Sequence, residues 1–240
     1  MPRANRYVLP GYVYHLTHRC HNGSFLFKFA RDRTEYRRRL REAVKRFRIS
    51  LLTYSITSNH IHLFVRAQDV GSISGFMQKL EGEFAEYYNL RKKRSGAFWG
   101  GRYWCTMVET GHYVRNCMRY IDLNMVRAGI VSHPADWKWC GYQELVGERE
   151  RYRLLDMAEV VSLWDCDTVS DFRAQYRRTI EEALEKRLLG REPWWTESIA
   201  VGSETIVKHV GEETQRRPEL CYEAVTPSRW VVREASEAYM

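Results

Sequence analysis

The chain has 240 residues, 44% hydrophobic and 28% charged, enough apolar material for a substantial core and too well mixed in sign for a disordered polyelectrolyte. Lys and Arg outnumber Asp and Glu by 38 to 30, a net +8 that suits a polyanionic partner such as nucleic acid but says nothing about fold. The six cysteines (Cys20, Cys105, Cys117, Cys140, Cys166, Cys221) lack the close spacing of zinc ribbons or small disulfide scaffolds. There is no signal-peptide h-region and no apolar run of about 18 residues, so the expectation is a cytoplasmic protein with reduced thiols.

In chain order, Val13 to Cys20 predicts a first strand. Arg31 to Phe47 predicts a helix with Tyr36, Leu40, Val44 and Phe47 on its apolar face, capped by Asp32 or Thr34. Leu51 to Ile56 and Asn59 to Val65 predict two strands that pair as a hairpin across Thr57-Ser58. Ser72 to Leu90 predicts a long helix (Ile73, Phe76, Met77, Leu80, Phe84, Tyr88) running into the basic RKKR. After a glycine-rich break come a strand over Arg102 to Glu109 and a helix from about His112 to Arg127, closed by Gly129. The order implies an α+β fold with helices packed on an antiparallel sheet. Beyond about residue 150 the pattern loosens. Asp171 to Leu189 and Ser203 to Val210 predict helices, with a loop-like GREPWW between them, so residues 151–240 are expected to form a helical C-terminal extension of a core domain over residues 1–150.

Two segments carry chemistry. In Asn59-His60-Ile61-His62-Leu63-Phe64-Val65, strand alternation puts His60 and His62 on one face, roughly 7 Å apart along the strand. Two imidazoles so placed can share a metal ion, or they are simply two histidines on a polar sheet face. In Tyr120-Ile121-Asp122-Leu123-Asn124, Tyr120 and Asn124 are i and i+4 neighbours on a helix. They flank the apolar stripe of Val114, Cys117, Ile121 and Met125 that should dock on the sheet. By themselves, a packing Tyr and an Asn near a helix end account equally for this pair. His15, His18, Cys20 and His21 suggest zinc by composition, but His15 and His18 should face opposite sides of a strand. His15-Leu16-Thr17 has the form of half a two-histidine phosphoesterase motif, with no second copy downstream.

The strings SNHIHLFV, GAFWGGRYW and MRYIDLNMVRAGIVSHPADWKWCGY, in that order and with YHLTHR ahead of them, resemble the single-tyrosine HUH transposases, in particular the branch associated with repetitive extragenic palindromic (REP) elements. The resemblance spans roughly residues 7 to 145 and departs at Met125, where the family usually has proline. It implies an HUH, ferredoxin-like catalytic domain over residues 1–150. His60 and His62 would be metal ligands, Asn124 a third ligand, and Tyr120 the nucleophile that forms a 5′-phosphotyrosine and frees a 3′-hydroxyl. The implied cofactor is Mg²⁺ or Mn²⁺, the nitrogen-rich ligand set leaning to Mn²⁺. The implied substrate is single-stranded DNA, a hairpin with flanking recognition sequence, and the implied location is the nucleoid.

For DNA contacts the sequence offers Arg3, Arg6, Arg19, the basic helix over Arg31 to Arg48, Lys92, Lys93, Arg94 and Arg102. Tyr12, Tyr14, Trp99, Tyr103 and Trp104 either stack on unpaired bases or fill the core. Two other functions fit the same features: a non-cleaving DNA-binding regulator derived from a transposase, and a metal phosphoesterase that activates water. A monomer is expected over a homodimer, the C-terminal helix covering the surface that a partner would otherwise use.

Overall fold

The computed structural model describes residues 8–69, 71–214 and 220–234. The first strand, β1 (Val13–Arg19), is followed by α1 (Ala30–Phe47), the hairpin β2 (Ile49–Ile56) and β3 (His60–Ala67), α2 (Gly71–Lys92) and β4 (Trp104–Val108). Strand β3 pairs antiparallel with both β2 and β1, and β1 pairs antiparallel with β4. Side-chain alternation along β1 divides the molecule. Tyr14 and Leu16 enter one core with Tyr36 and Leu40 of α1 and Phe76, Leu80 and Phe84 of α2. Val13 enters another with Val114, Cys117 and Ile121.

Those last residues lie on α3 (His112–Asp122), which packs on the opposite sheet face from α1 and α2. The helix predicted to run unbroken to Arg127 is interrupted. Leu123 leaves helical geometry (φ −79°, ψ 3°), and a separate turn, α4 (Asn124–Arg127), follows. Neither proposed cap holds the first helix: its N-cap is Phe29, without a side-chain bond. Asp32 lies inside the first turn, where burial makes a charged partner obligatory, and it pairs with Arg91 at the end of α2.

After α5 (Tyr142–Leu145) and α6 (Met157–Leu163), α7 (Val169–Glu185) completes the second core with Phe172, Tyr176 and Ile180, its N-terminus capped by Thr168. The rest of the chain is not purely helical. A short α8 (Trp194–Glu197) leads to β5 (Ala200–Gly202), α9 (Glu204–Glu213) and the hairpin β6 (Leu220–Thr226) and β7 (Arg229–Glu234). These strands extend the sheet to seven, in the order β2-β3-β1-β4-β5-β7-β6. Strand β5 runs parallel to β4. Such a pairing requires a crossover, here the whole stretch from α3 to α8. Among the described residues no helix is long and apolar enough to cross a membrane, and all six cysteines are free.

Candidate active site

Strand β3 presents His60 and His62 towards a cleft of about 580 Å³ while Ile61, Leu63 and Val65 are fully buried on the reverse face. Their ring centroids lie 4.9 Å apart. Helix α3 runs beside that strand face and delivers Tyr120, whose ring centroid is 6.2 Å from that of His62. Despite the break at Leu123, Asn124 still reaches the cleft, its Nδ2 3.0 Å from His62 Nε2. The structure therefore brings together all four residues singled out as catalytic or metal-binding candidates.

Hydrogen-bond accounting shows what state they are in. Asn59 Nδ2 donates to Gly23 O at 3.2 Å, which orients its amide so that Oδ1 faces His60 Nδ1 at 2.7 Å. A carbonyl oxygen only accepts, so His60 carries its proton on Nδ1 and keeps Nε2 as a lone pair. Burial pushes the His60 imidazole down to about 4, and the cations of Arg19 and Arg127 push the same way. His62 is driven well below its usual range by burial and then by His60 and His15. Both rings are neutral near pH 7, the form that binds metal. Among the described residues no group of three or more His, Cys, Asp and Glu is placed to hold a metal. A cation here would therefore rest on two neutral imidazoles and one amide, a mixed nitrogen and oxygen set open to divalent ions.

Tyr120 is 6% exposed. Burial raises its phenol above the ordinary range, while the Arg127 guanidinium, 4.1 Å from the ring centroid, opposes that rise. Arg127 was not evident as a site residue in the sequence. Its Nη1 bonds the Tyr120 carbonyl at 3.3 Å, and its Nη2 is buried with no hydrogen-bond partner among the described residues. The only clue was its place one turn after Asn124. His15 was missed as well. On β1, diagonal to His62 (whose register partner is Thr17), it is fully buried, with Nε2 2.9 Å from His62 Nδ1 and Nδ1 2.8 Å from the carbonyl oxygen of Trp195. His18 does face the other way, as the strand period requires, bonding Glu81 at 2.5 Å and stacking on Trp99.

The basic candidates scatter. Arg19 lines the cleft, exposed Arg102 follows Gly101, whose carbonyl meets His18 Nε2 at 3.0 Å, and Arg3 and Arg6 lie outside the described residues. Lys92, Lys93 and Arg94 sit at the far end of α2, where Arg94 is engaged with Asn89 and the Ala97 carbonyl. Much of the charge on α1 serves the fold: Arg33 lies 4.1 Å from the Trp139 ring centroid, and Arg37 bonds Tyr54 and Glu144. Of the aromatics offered as stacking surfaces, Tyr14, Trp99 and Tyr103 are core residues, whereas Tyr12 and Trp104 are half-buried. Exposed rings lie elsewhere, among them Phe25 (67%) and Phe29 (52%) on the loop between β1 and α1.

A mixed sheet with a histidine pair on an inner strand and a tyrosine on the helix laid against it defines a sheet-borne site that suits a phosphodiester-processing protein. Residues 9–124, which include all four of these residues, match the family described as transposase, IS200-like. Among solved structures, a REP-associated tyrosine transposase bound to a REP hairpin is similar with TM-score 0.53 and 18% identity, over 64% of this chain and 90% of that one. A putative transposase from Deinococcus radiodurans R1 is similar over 51% of this chain and 95% of that one, at 18% identity and TM-score 0.35. The first of these shows a shared fold. No curated protein matches the chain.

Proposed function

We propose that the protein is a single-stranded DNA endonuclease and strand-transferase of the REP-associated kind, with Tyr120 as its nucleophile. The observation that carries this reading is the convergence of Tyr120, His60, His62 and Asn124 on one cleft within an IS200-like span. Tyr120 Oη attacks a backbone phosphorus, and the bond from phosphorus to the 3′-oxygen of the preceding nucleotide breaks. The phenolic proton departs, the leaving oxygen gains a proton, and a 5′-phosphotyrosine remains. Because one phosphodiester replaces another, the reverse attack by a 3′-hydroxyl rejoins DNA without a nucleotide cofactor.

His60 and His62 would hold the divalent ion through Nε2, and Asn124 through Oδ1, its amide turned about the last bond from the present contact with His62. When bound, the ion supplies positive charge for the scissile phosphate and favours the phenolate. Arg127 contributes a second, permanent positive charge next to the Tyr120 ring. Arg19, exposed at the cleft edge opposite His60 on β1, is placed to hold the adjoining phosphates.

The test is a denaturing gel of labelled single-stranded hairpins with varied flanks, incubated with protein and Mn²⁺ or Mg²⁺. A metal-dependent covalent adduct that disappears in Tyr120→Phe is the expected result. Cleavage without an adduct, insensitive to that substitution, would replace this mechanism with water-based hydrolysis. Hairpin binding without cleavage on every flank offered would favour a regulator derived from such an enzyme.

A further inference from the structure

The two ring nitrogens of His62 do different work, and the proton on one of them is set from the far end of the chain. The Trp195 carbonyl can only accept, and it lies 2.8 Å from His15 Nδ1, so His15 carries its proton there. His15 is fully buried with no acidic partner at either ring nitrogen, so its one proton stays on Nδ1 and its Nε2 is an acceptor. The 2.9 Å contact from that Nε2 to His62 Nδ1 then requires the proton to sit on His62 Nδ1. His62 is left with a bare Nε2 on the side where Asn124 lies, 3.0 Å away. The two imidazoles lie edge to edge and nearly coplanar (centroids 5.0 Å apart, planes at 18°), so this in-plane bond fixes the ring orientation too.

We propose that His15, held by the Trp195 carbonyl, is a positioning residue that locks the tautomer and orientation of His62 for metal binding. The lock spans two parts of the chain. His15 and His62 lie within residues 9–124, the span matched by the IS200-like family, whereas the carbonyl at its end comes from α8, outside that span. Helix α8 is itself well anchored. The Trp195 side chain is fully buried, with its indole Nε1 on Glu192 at 2.7 Å. Strand β5 then fastens the chain to β4 three residues after α8. The C-terminal segment thereby reaches the candidate metal centre without supplying a ligand. Hydrogen-bonded partners of this kind are worth about 10–100-fold in metal affinity where they have been removed from other sites.

The inference rests on the reading of His62 as a metal ligand, so its test has two independent arms on the full-length protein. The first uses no metal: long-range ¹H–¹⁵N correlation of histidine-labelled protein near pH 7 reports which nitrogen of His62 is protonated. Protonation at Nδ1 is expected; an Nε2–H tautomer, or exchange between the two, overturns the proposal. The second arm titrates Mn²⁺ by electron paramagnetic resonance into wild type, His15→Phe and His15→Gln. His15→Phe fills the volume but leaves His62 Nδ1–H unpaired, and its affinity should fall about 10–100-fold. His15→Gln keeps an amide oxygen able to accept that proton and should recover most of the loss. Unchanged affinity in a folded His15→Phe protein overturns the positioning role. If wild type binds no Mn²⁺, the metal reading fails by itself, and the tautomer spectrum still decides the relay; it decides equally if His15→Phe does not fold.

Discussion

Residue type alone does not distinguish Arg127 from the other basic residues of the chain; its surroundings do. Like most arginines of α1, Arg127 lies over an aromatic ring, that of Tyr120, but its terminal Nη2 is buried and unpartnered among the described residues. A buried donor left unsatisfied costs free energy, and a phosphate oxygen arriving in the cleft would relieve that cost. Arg127→Ala should therefore lower the rate of covalent adduct formation about 100-fold, the scale for removing one positioned donor from a developing charge. Binding of the same DNA should change far less, because most of its affinity comes from phosphate contacts elsewhere. Single-turnover adduct kinetics beside equilibrium gel shifts separate the two; an equal loss in both would make Arg127 a general phosphate contact. The sequence made His60 and His62 legible because a strand's two-residue period is a local property. It could not reveal Arg127, since that role depends on the fold of the turn after Leu123.

At the scale of elements, the loop between β1 and α1 has the exposed rings sought among Tyr12, Tyr14, Trp99, Tyr103 and Trp104. It is pinned beside the histidine strand by Phe27 N–H to Ser58 O (3.0 Å) and by Asn59 Nδ2 to Gly23 O (3.2 Å), with the Phe27 ring buried beneath. Phe25 and Phe29 project from it, and Lys92 Nζ stands 4.5 Å from the Phe29 ring centroid. Exposed rings next to cations suit unpaired bases and have little to offer a duplex. Phe25→Ala is expected to weaken single-strand binding about 5- to 160-fold, by the ordinary worth of about 1–3 kcal/mol for a stacked base. Fluorescence anisotropy checks this, with duplex affinity unchanged; equal losses for both would indicate general loop damage. The sequence left Tyr12, Tyr14, Trp99, Tyr103 and Trp104 open between stacking on bases and filling the core. Burial, the property that decides between stacking and packing, is fixed only when α1 and α2 close over the sheet.

At the scale of the whole molecule, Asp122 ties three elements together. Its carboxylate accepts from Thr53 on β2 at 2.7 Å and from Tyr176 on α7, and it is itself on the helix that carries Tyr120. Burial raises its carboxyl to about 7, with both hydroxyl donors opposing that rise. Between the ordinary carboxylate value of 3.8 and about 7, the folded protein holds a proton that the unfolded chain has released. Stability from this group therefore falls as pH rises through that window, and the loss is complete above 7. Asp122→Asn should abolish the dependence. The wild-type minus variant difference in unfolding free energy should become less favourable to wild type by ~2–4 kcal/mol between pH 4 and pH 8. Urea unfolding at both pH values measures this, and a difference that does not vary with pH would mean that Asp122 titrates normally. Subtracting the variant also removes the opposite trend from His15 and His60, whose neutral folded forms lose stability as pH falls below the usual histidine range.

What the sequence by itself determined was everything with a short period: the order of strands and helices through Asp122, the shared face of His60 and His62, and the buried stripe of α3 beside Tyr120. Those features rest on neighbours two to four residues apart, which any reader of the chain can count. Only the tertiary structure decided the rest. The extension expected to be helical contributes β5, β6 and β7, because a mostly exposed strand such as Leu220–Thr226 carries no alternating apolar signal and gains its pairing from β7. His15 became a partner of His62 because β1 lies against β3, and its other bond reaches Trp195, 180 residues along the chain. No local pattern encodes a contact at that separation. It exists because packing of the C-terminal segment against β1 and β4 sets one backbone carbonyl beside one buried imidazole.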